Sequence, residues 1–261
     1  MSQRLVPIAL FAVVVSSAAV LLSGCFLIPS PTPTATGAPP VSTSSSTPST
    51  ALSPTPTATN TATATGGGCP ANSASLPAGA VSHPTIDVDG DGRPDTEWIS
   101  DTPSLEFGVT TASGATFSYP LSTASPAGRE GLIAQLNDHR IVSLVDDNRA
   151  AYVHFFVNCA WVETKNFQGA QYVLDFNDFA GTGSGVGCSL GYVVQYQATL
   201  SGGTYTVTKT PLNLNTDGSK ASAGTTSTVV SGVAASDSRV KVAQEISCET
   251  VTVANGGVSL N

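Results

Sequence analysis

The sequence predicts a mainly β domain of antiparallel sheets, arranged as a sandwich or a partial propeller, with one short helix. Three observations carry this. Runs rich in β-branched and aromatic residues recur at 151–158, 171–176, 192–199, 204–208 and 239–243. Asp, Asn and Gly turns punctuate them at 146–148, 202–203, 217–218 and 255–257. The one helical signal spans 126–137, where Ser125 would cap, Pro126 fits the first turn, and Leu132, Ile133 and Leu136 share a face.

Ahead of this domain the chain has a different character. Arg4 precedes an apolar stretch from Leu5 to Leu22, interrupted only by Pro7, Ser16 and Ser17 and followed by Ser23, Gly24 and Cys25. Eighteen apolar residues are enough to span a bilayer, but a basic start followed by an apolar run and small residues also describes a cleaved export signal. The four residues ending at Cys25 resemble a bacterial lipoprotein lipobox. That resemblance implies cleavage of 1–24 as a signal peptide and lipidation of the Cys25 thiol. Two or more acyl chains on Cys25 would then hold the chain at the outer face of the cell membrane without a transmembrane helix.

Residues 25–68 form the next region, and 29–68 are almost wholly Pro, Ser, Thr, Ala and Gly, with eight prolines among forty residues. Such a composition buries too little to offset its ordering entropy, so it is expected to be a disordered linker. Fully extended it would reach about 120 Å, and as a coil roughly 35 Å, enough to lead from a membrane into a cell wall. Its Thr-rich runs also suit O-linked sugar. All 18 acidic residues lie at or after Asp87, and the net charge of −8 gives no basic surface for nucleic acid.

The domain is expected to run from 69 to 261. Setting Cys25 aside leaves Cys69, Cys159, Cys188 and Cys248, an even number that suggests two disulfides in an exported protein. Three pairings are open. A Cys69–Cys248 bridge, which would staple the two ends of the domain, is weakly preferred. No C-x-x-C spacing points to zinc or to redox exchange.

The most informative stretch is 86–98. Asp87, Asp89 and Asp91 alternate, Gly92 follows, and Asp95 completes the pattern D-x-D-x-D-G-x-x-D. Calcium takes six to eight hard oxygens, and a tight loop turns carboxylates at positions 1, 3, 5 and 9 inward. Arg93 at position 7 would contribute its backbone carbonyl and point its side chain away. Position 12 is Trp98 rather than a bidentate Glu, and both flanks look extended, so an EF-hand is disfavoured. The segment 87–117, with this loop, the Ser113-Gly114 turn and a closing aromatic, resembles a single FG-GAP or VCBS-type repeat. The resemblance implies a loop joining two strands, with Asp87, Asp89, Asp91, Arg93 (backbone) and Asp95 as calcium ligands. Only one copy is visible, whereas a propeller needs several. The whole layout also resembles an actinobacterial surface lipoprotein.

No active-site motif stands out. His83, His139 and His154 lie outside any metal-protease or haem pattern, and His154 is expected to decorate a sheet face. The glycine-rich run 181–187 lacks the spacing of a nucleophile elbow and the Lys of a P-loop, so a flexible loop is expected there. Asp175 and Asp178 fit a strand end and turn better than a paired-carboxylate site, and Trp161 and Tyr192 fit core or cross-strand roles better than sugar stacking. The expectation is a non-catalytic surface lipoprotein whose calcium-stabilised domain binds a wall component or an extracellular protein or glycan. The alternative is an extracellular hydrolase of wall polysaccharide or peptide using Asp175, Asp178 or His154. Replacing Cys25 by Ser is expected to move the chain from the membrane fraction into the medium. Retention in the membrane would mean that the apolar stretch 5–22 is itself the anchor.

Overall fold

The computed structural model describes residues 67–121, 128–179 and 182–260, all within one compact unit. The signal, Cys25 and most of the linker lie outside the described residues. No described helix is long and apolar enough to cross a membrane.

The strands follow in chain order. The first four are β1 (Val81–Pro84), β2 (Thr96–Ser100), β3 (Glu106–Thr110) and β4 (Thr116–Pro120). Next come β5 (Arg129–Gln135), β6 (Ile141–Asp146), β7 (Ala150–Phe156), β8 (Trp161–Glu163) and β9 (Val173–Asp175). The C-terminal half holds β10 (Asn177–Phe179), β11 (Thr182–Ser189), β12 (Tyr192–Ser201), β13 (Thr204–Leu214), β14 (Ala221–Ala223) and β15 (Ser227–Val233). It closes with α1 (Ser238–Val242), β16 (Ile246–Cys248), β17 (Val251–Thr252), α2 (Val253–Gly256) and β18 (Gly257–Leu260).

These strands make three sheets. The first is the meander β1-β2-β3-β4. The second runs β18-β5-β6-β7-β8, with β9 also on β7. The third runs β14-β13-β12-β11-β16-β17, with β10 on β11 and β15 on β13. All pairs are antiparallel except β11 with β16. The second sheet lies in the middle. Its register aligns Ile133, Ser143 and His154 on one face and Leu132, Leu144 and Val153 on the other. Ile133 packs with Ile99, Phe107, Val109 and Tyr119 of the first sheet. Leu132, Leu144 and Val153 pack with Val186, Val193, Leu212 and Ile246 of the third. The sheets therefore stack as layers, which is the sandwich rather than the propeller of the two expected arrangements.

Burial on both faces explains the misread helix. Residues 129–135 form β5, a central strand, not part of a helix over 126–137. A strand covered on both sides shows a continuous apolar run in place of alternation, and Leu132, Ile133 and Leu136 mimic a helical face by coincidence. The adjacent β6 is buried at all six positions. Two further expectations are corrected. Residues 239–243, read as a strand, lie in and just after α1, where Asp237 accepts a hydrogen bond from the Arg239 N–H as N-cap. Val240 and Ala243, three apart, cover Ala198 and Val207 on the outer face of the third sheet. Among the described residues there are two short helices instead of one. The glycine-rich run 181–187, read as a loop, lies largely in β11. A side chain at Gly185 would meet the Glu245 carbonyl oxygen at 2.7 Å, so the glycines let the segment before β16 lie directly on the strand.

The disulfides are Cys69–Cys159 and Cys188–Cys248, which overturns the weak preference for Cys69–Cys248. Cys188 and Cys248 are register partners across the parallel pair. Cys159 sits in the two-residue β7–β8 turn, where Asn158 and Cys159 both have positive φ and Val157 and Ala160 exchange backbone hydrogen bonds. The chain separations are 90 and 60 residues, so in the chain-entropy picture each bridge contributes about 4–5 kcal/mol.

The interface of the first and middle sheets is not purely apolar. Tyr119 Oη lies 2.9 Å from Ser143 Oγ, and its ring stacks on His154 at 3.7 Å. Glu97 is fully buried and accepts a 2.7 Å hydrogen bond from the Ile133 N–H. Burial pushes the Glu97 carboxyl from 4.5 up to about 8 and the His154 imidazole from 6.5 down to about 3. Glu97 therefore contributes stability that is fully present below pH 4.5 and is lost as pH rises toward 8. His154 contributes stability present above pH 6.5 and lost as pH falls toward 3. In the window between 4.5 and 6.5 the two slopes oppose each other. Burial also raises the Asp146 carboxyl from 3.8 to about 8, so denaturant unfolding is expected to show stability falling by about 1.4 kcal/mol per pH unit across that window and by about twice that from 6.5 to 8. Glu97→Gln should level the 4.5–6.5 window and halve the slope above it, whereas His154→Phe should steepen the fall across the window and remove the acid limb.

Candidate functional site

The acidic loop connects β1 to β2 in the meander. Its base is closed by backbone bonds between Thr85 and Asp95 and between Asp95 and Ile86. Gly90 and Gly92 hold φ of 77° and 84°, the left-handed turns that reverse the chain. The carboxylates are then fixed by backbone donors. Asp87 accepts from the N–H groups of Gly90, Asp91 and Gly92 at 2.8, 3.1 and 2.8 Å. Asp95 is 2% exposed and accepts from Val88 at 2.7 Å and from Ala112 at 2.8 Å. Asp89 accepts from the Cys69 N–H at 2.8 Å.

The loop brings Asp87, Asp89 and Asp95 together, with one oxygen of each within 4.8 Å of the others. Burial raises the Asp95 carboxyl, its two N–H donors oppose that, and the charges of Asp89 and Asp87 raise it further. Asp91 is placed differently. One of its oxygens accepts from the Arg93 N–H at 2.8 Å, and the other takes the Arg93 guanidinium at 2.7 Å. This two-residue turn carries the guanidinium back onto Asp91, where the sequence suggested a side chain pointing away. The Arg93 hydrogen bond holds Asp91 below its ordinary value.

Sequence spacing missed the platform beneath the loop. Ser113 Oγ donates to the Cys69 carbonyl at 2.8 Å, and Asn72 bridges to the Thr116 backbone. The loop thus rests on the start of the domain, which Cys69–Cys159 ties to the middle sheet. Only Cys69 carried a signal, and its partner did not show in the spacing.

The residues considered for catalysis do not assemble. His154 is buried against Tyr119, and its Nδ1 has no hydrogen-bond partner. Asp175 is exposed beside Ala150, four residues along β7 from His154. Asp178 falls in β10, and its side chain lies outside the described structure. Trp161 is half-buried, packs on Tyr119 and Phe156, and donates from Nε1 to the Phe117 carbonyl at 3.2 Å. Tyr192 is exposed beside the β11–β12 turn. Comparison with family models, curated proteins and solved structures returns no match.

Asp95 holds the buried Val88 N–H and the part-buried Ala112 N–H across the loop. Asp95→Ala is therefore expected to cost about 1–3 kcal/mol in urea unfolding without added metal. Asp91→Ala, which loses a pair to the exposed Arg93 guanidinium, should leave the midpoint nearly unchanged.

Proposed function

We propose that the chain is an exported lipoprotein, anchored through Cys25, whose β domain is stabilised by calcium at the 87–95 loop and binds a wall or extracellular ligand without catalysis. The convergence of Asp87, Asp89 and Asp95 within 4.8 Å carries the cation part of this reading. Two oxygens on one calcium, each at 2.3–2.6 Å, lie at most about 5 Å apart, so the three carboxylates meet that limit. Each already accepts backbone N–H donors, yet a carboxylate offers about four lone-pair directions and retains some for a metal. The charges of Asp87 and Asp89 act against Asp95, and a divalent cation would relieve that repulsion. Asp91 would join as a fourth ligand only by exchanging Arg93 for the ion.

The lipobox supports the anchor, and the two disulfides suit an oxidising compartment. The binding role draws on the same features: a stapled β domain at the end of a long tether, without an assembled set of catalytic side chains among the described residues. Calcium at 100 times its dissociation constant is expected to add about 2.7 kcal/mol, a rise of about 5–10 °C in the unfolding temperature. Asp89→Asn, which still accepts from Cys69, should abolish that rise. An unfolding temperature indifferent to millimolar calcium and to chelator would sink the cation part of the proposal.

A further inference from the structure

A cleft of about 550 Å³ opens beside the acidic loop, and four separated parts of the chain build it. Asp87 and Asp89 stand on one side. Gln135 and Arg140 come from either end of the β5–β6 turn, and Asn158 from the β7–β8 turn. Thr216 and Asp217 come from the connection that follows β13. Ile141, Phe156 and Val157 supply an apolar floor.

We infer that this cleft is a binding site for a neutral saccharide. It rests on the reading of the domain as an extracellular binding module, but not on the presence of the cation. The chemistry of the lining argues for that class. A sugar ring offers hydroxyls that both donate and accept around its edge, and a C–H face that wants apolar contact. The cleft supplies planar acceptors in Asp87 and Asp89, and amides that do both in Gln135 and Asn158, above an aromatic and aliphatic floor. Gln135 and Asn158 are exposed, and neither amide is engaged among the described residues. The volume falls in the range of small-ligand sites and suits one or two sugar rings.

Charge in the lining is mixed, with the carboxylates of Asp87, Asp89 and Asp217 and the guanidinium of Arg140. Arg140 keeps a positive charge at its edge, held by Asp138 at 2.7 Å and lying 5.2 Å over the Phe155 ring. The Asp87 and Asp89 oxygens face four backbone N–H groups and keep lone pairs for hydroxyl donors.

The geometry is also preset. Asn158 holds φ of 51° in a tight turn, and the Cys159 beside it is bridged to Cys69, whose N–H binds Asp89. One disulfide thus fixes the spacing between the acceptor side and the amide side. A rigid site loses less entropy on binding.

The test is isothermal titration of the full chain in a non-glycoside detergent with maltotetraose, chitotetraose and mannotetraose, once in calcium and once in chelator. At least one oligosaccharide is expected to bind with a dissociation constant below about 1 mM. Gln135→Ala and Asn158→Gly should each weaken it about tenfold or more with an unchanged unfolding temperature. The glycine tolerates the positive φ at 158, so that variant keeps the turn. Binding by none of the three in either buffer overturns the inference, as does tetralysine binding in their place or wild-type affinity in both variants. If calcium raises the unfolding temperature while no saccharide binds, the saccharide site falls and the cation reading stands. If a saccharide binds and calcium does nothing, the reverse holds.

Discussion

Burial of the middle sheet on both faces is the constraint from which the rest of the domain follows. Strands β5, β6 and β7 are covered on both faces along most of their length, so most of their side chains must find a partner in one of two layers. Leu132, Leu144 and Val153 look toward the third sheet, while Ile133 and Ile141 look toward the first. Fully burying each such side chain contributes about 1.5–3 kcal/mol before entropy is counted. A one-residue slip in β6 would exchange its two faces, carrying Ser143 from its tyrosine partner into an aliphatic layer. The register is therefore fixed from both sides at once.

Three layers also create places where polar groups are trapped. Glu97, Tyr119, Ser143 and His154 all sit between the first two sheets, and the burial that builds the core moves the titration of Glu97 and His154 in opposite directions. Glu97 also has a structural task. Its carboxyl receives the Ile133 N–H of β5 just past Leu132, where pairing with β18 stops, so a side chain continues what the neighbouring strand does not. An apolar residue there would leave that N–H orphaned.

How far the sequence could be read depends on the range of the interaction concerned. Asp87, Asp89 and Asp95 were legible because one nine-residue loop holds all three, and local spacing brings them close. The strands at 151–158, 192–199 and 204–208 were legible because each is long and rich in β-branched and aromatic residues. β5 was not, because its apolar run takes its meaning from two other sheets. The role of the glycines in β11 depends on a segment some sixty residues away, and the pairing of Cys69 with Cys159 depends on how the meander docks. The same holds for Cys69 and Ala112, whose N–H groups hold the acids from outside the loop.

That division explains why the loop and the cleft differ in kind. The acid loop is made of neighbours in sequence and braced from outside by the N–H groups of Cys69 and Ala112. The cleft needs the meander, the middle sheet and the β13–β14 connection in their observed relation, so it exists only when the layers have docked. Asp87 and Asp89 belong to both. Charge neutralised at the loop therefore changes the field in the cleft, and a ligand in the cleft changes what the loop carboxylates experience. By linkage, any effect of a cation on ligand affinity must be matched by an equal effect of ligand on cation affinity. The disulfide at Cys69 sits where that coupling would pass, since it joins the residue whose N–H holds Asp89 to the turn that presents Asn158.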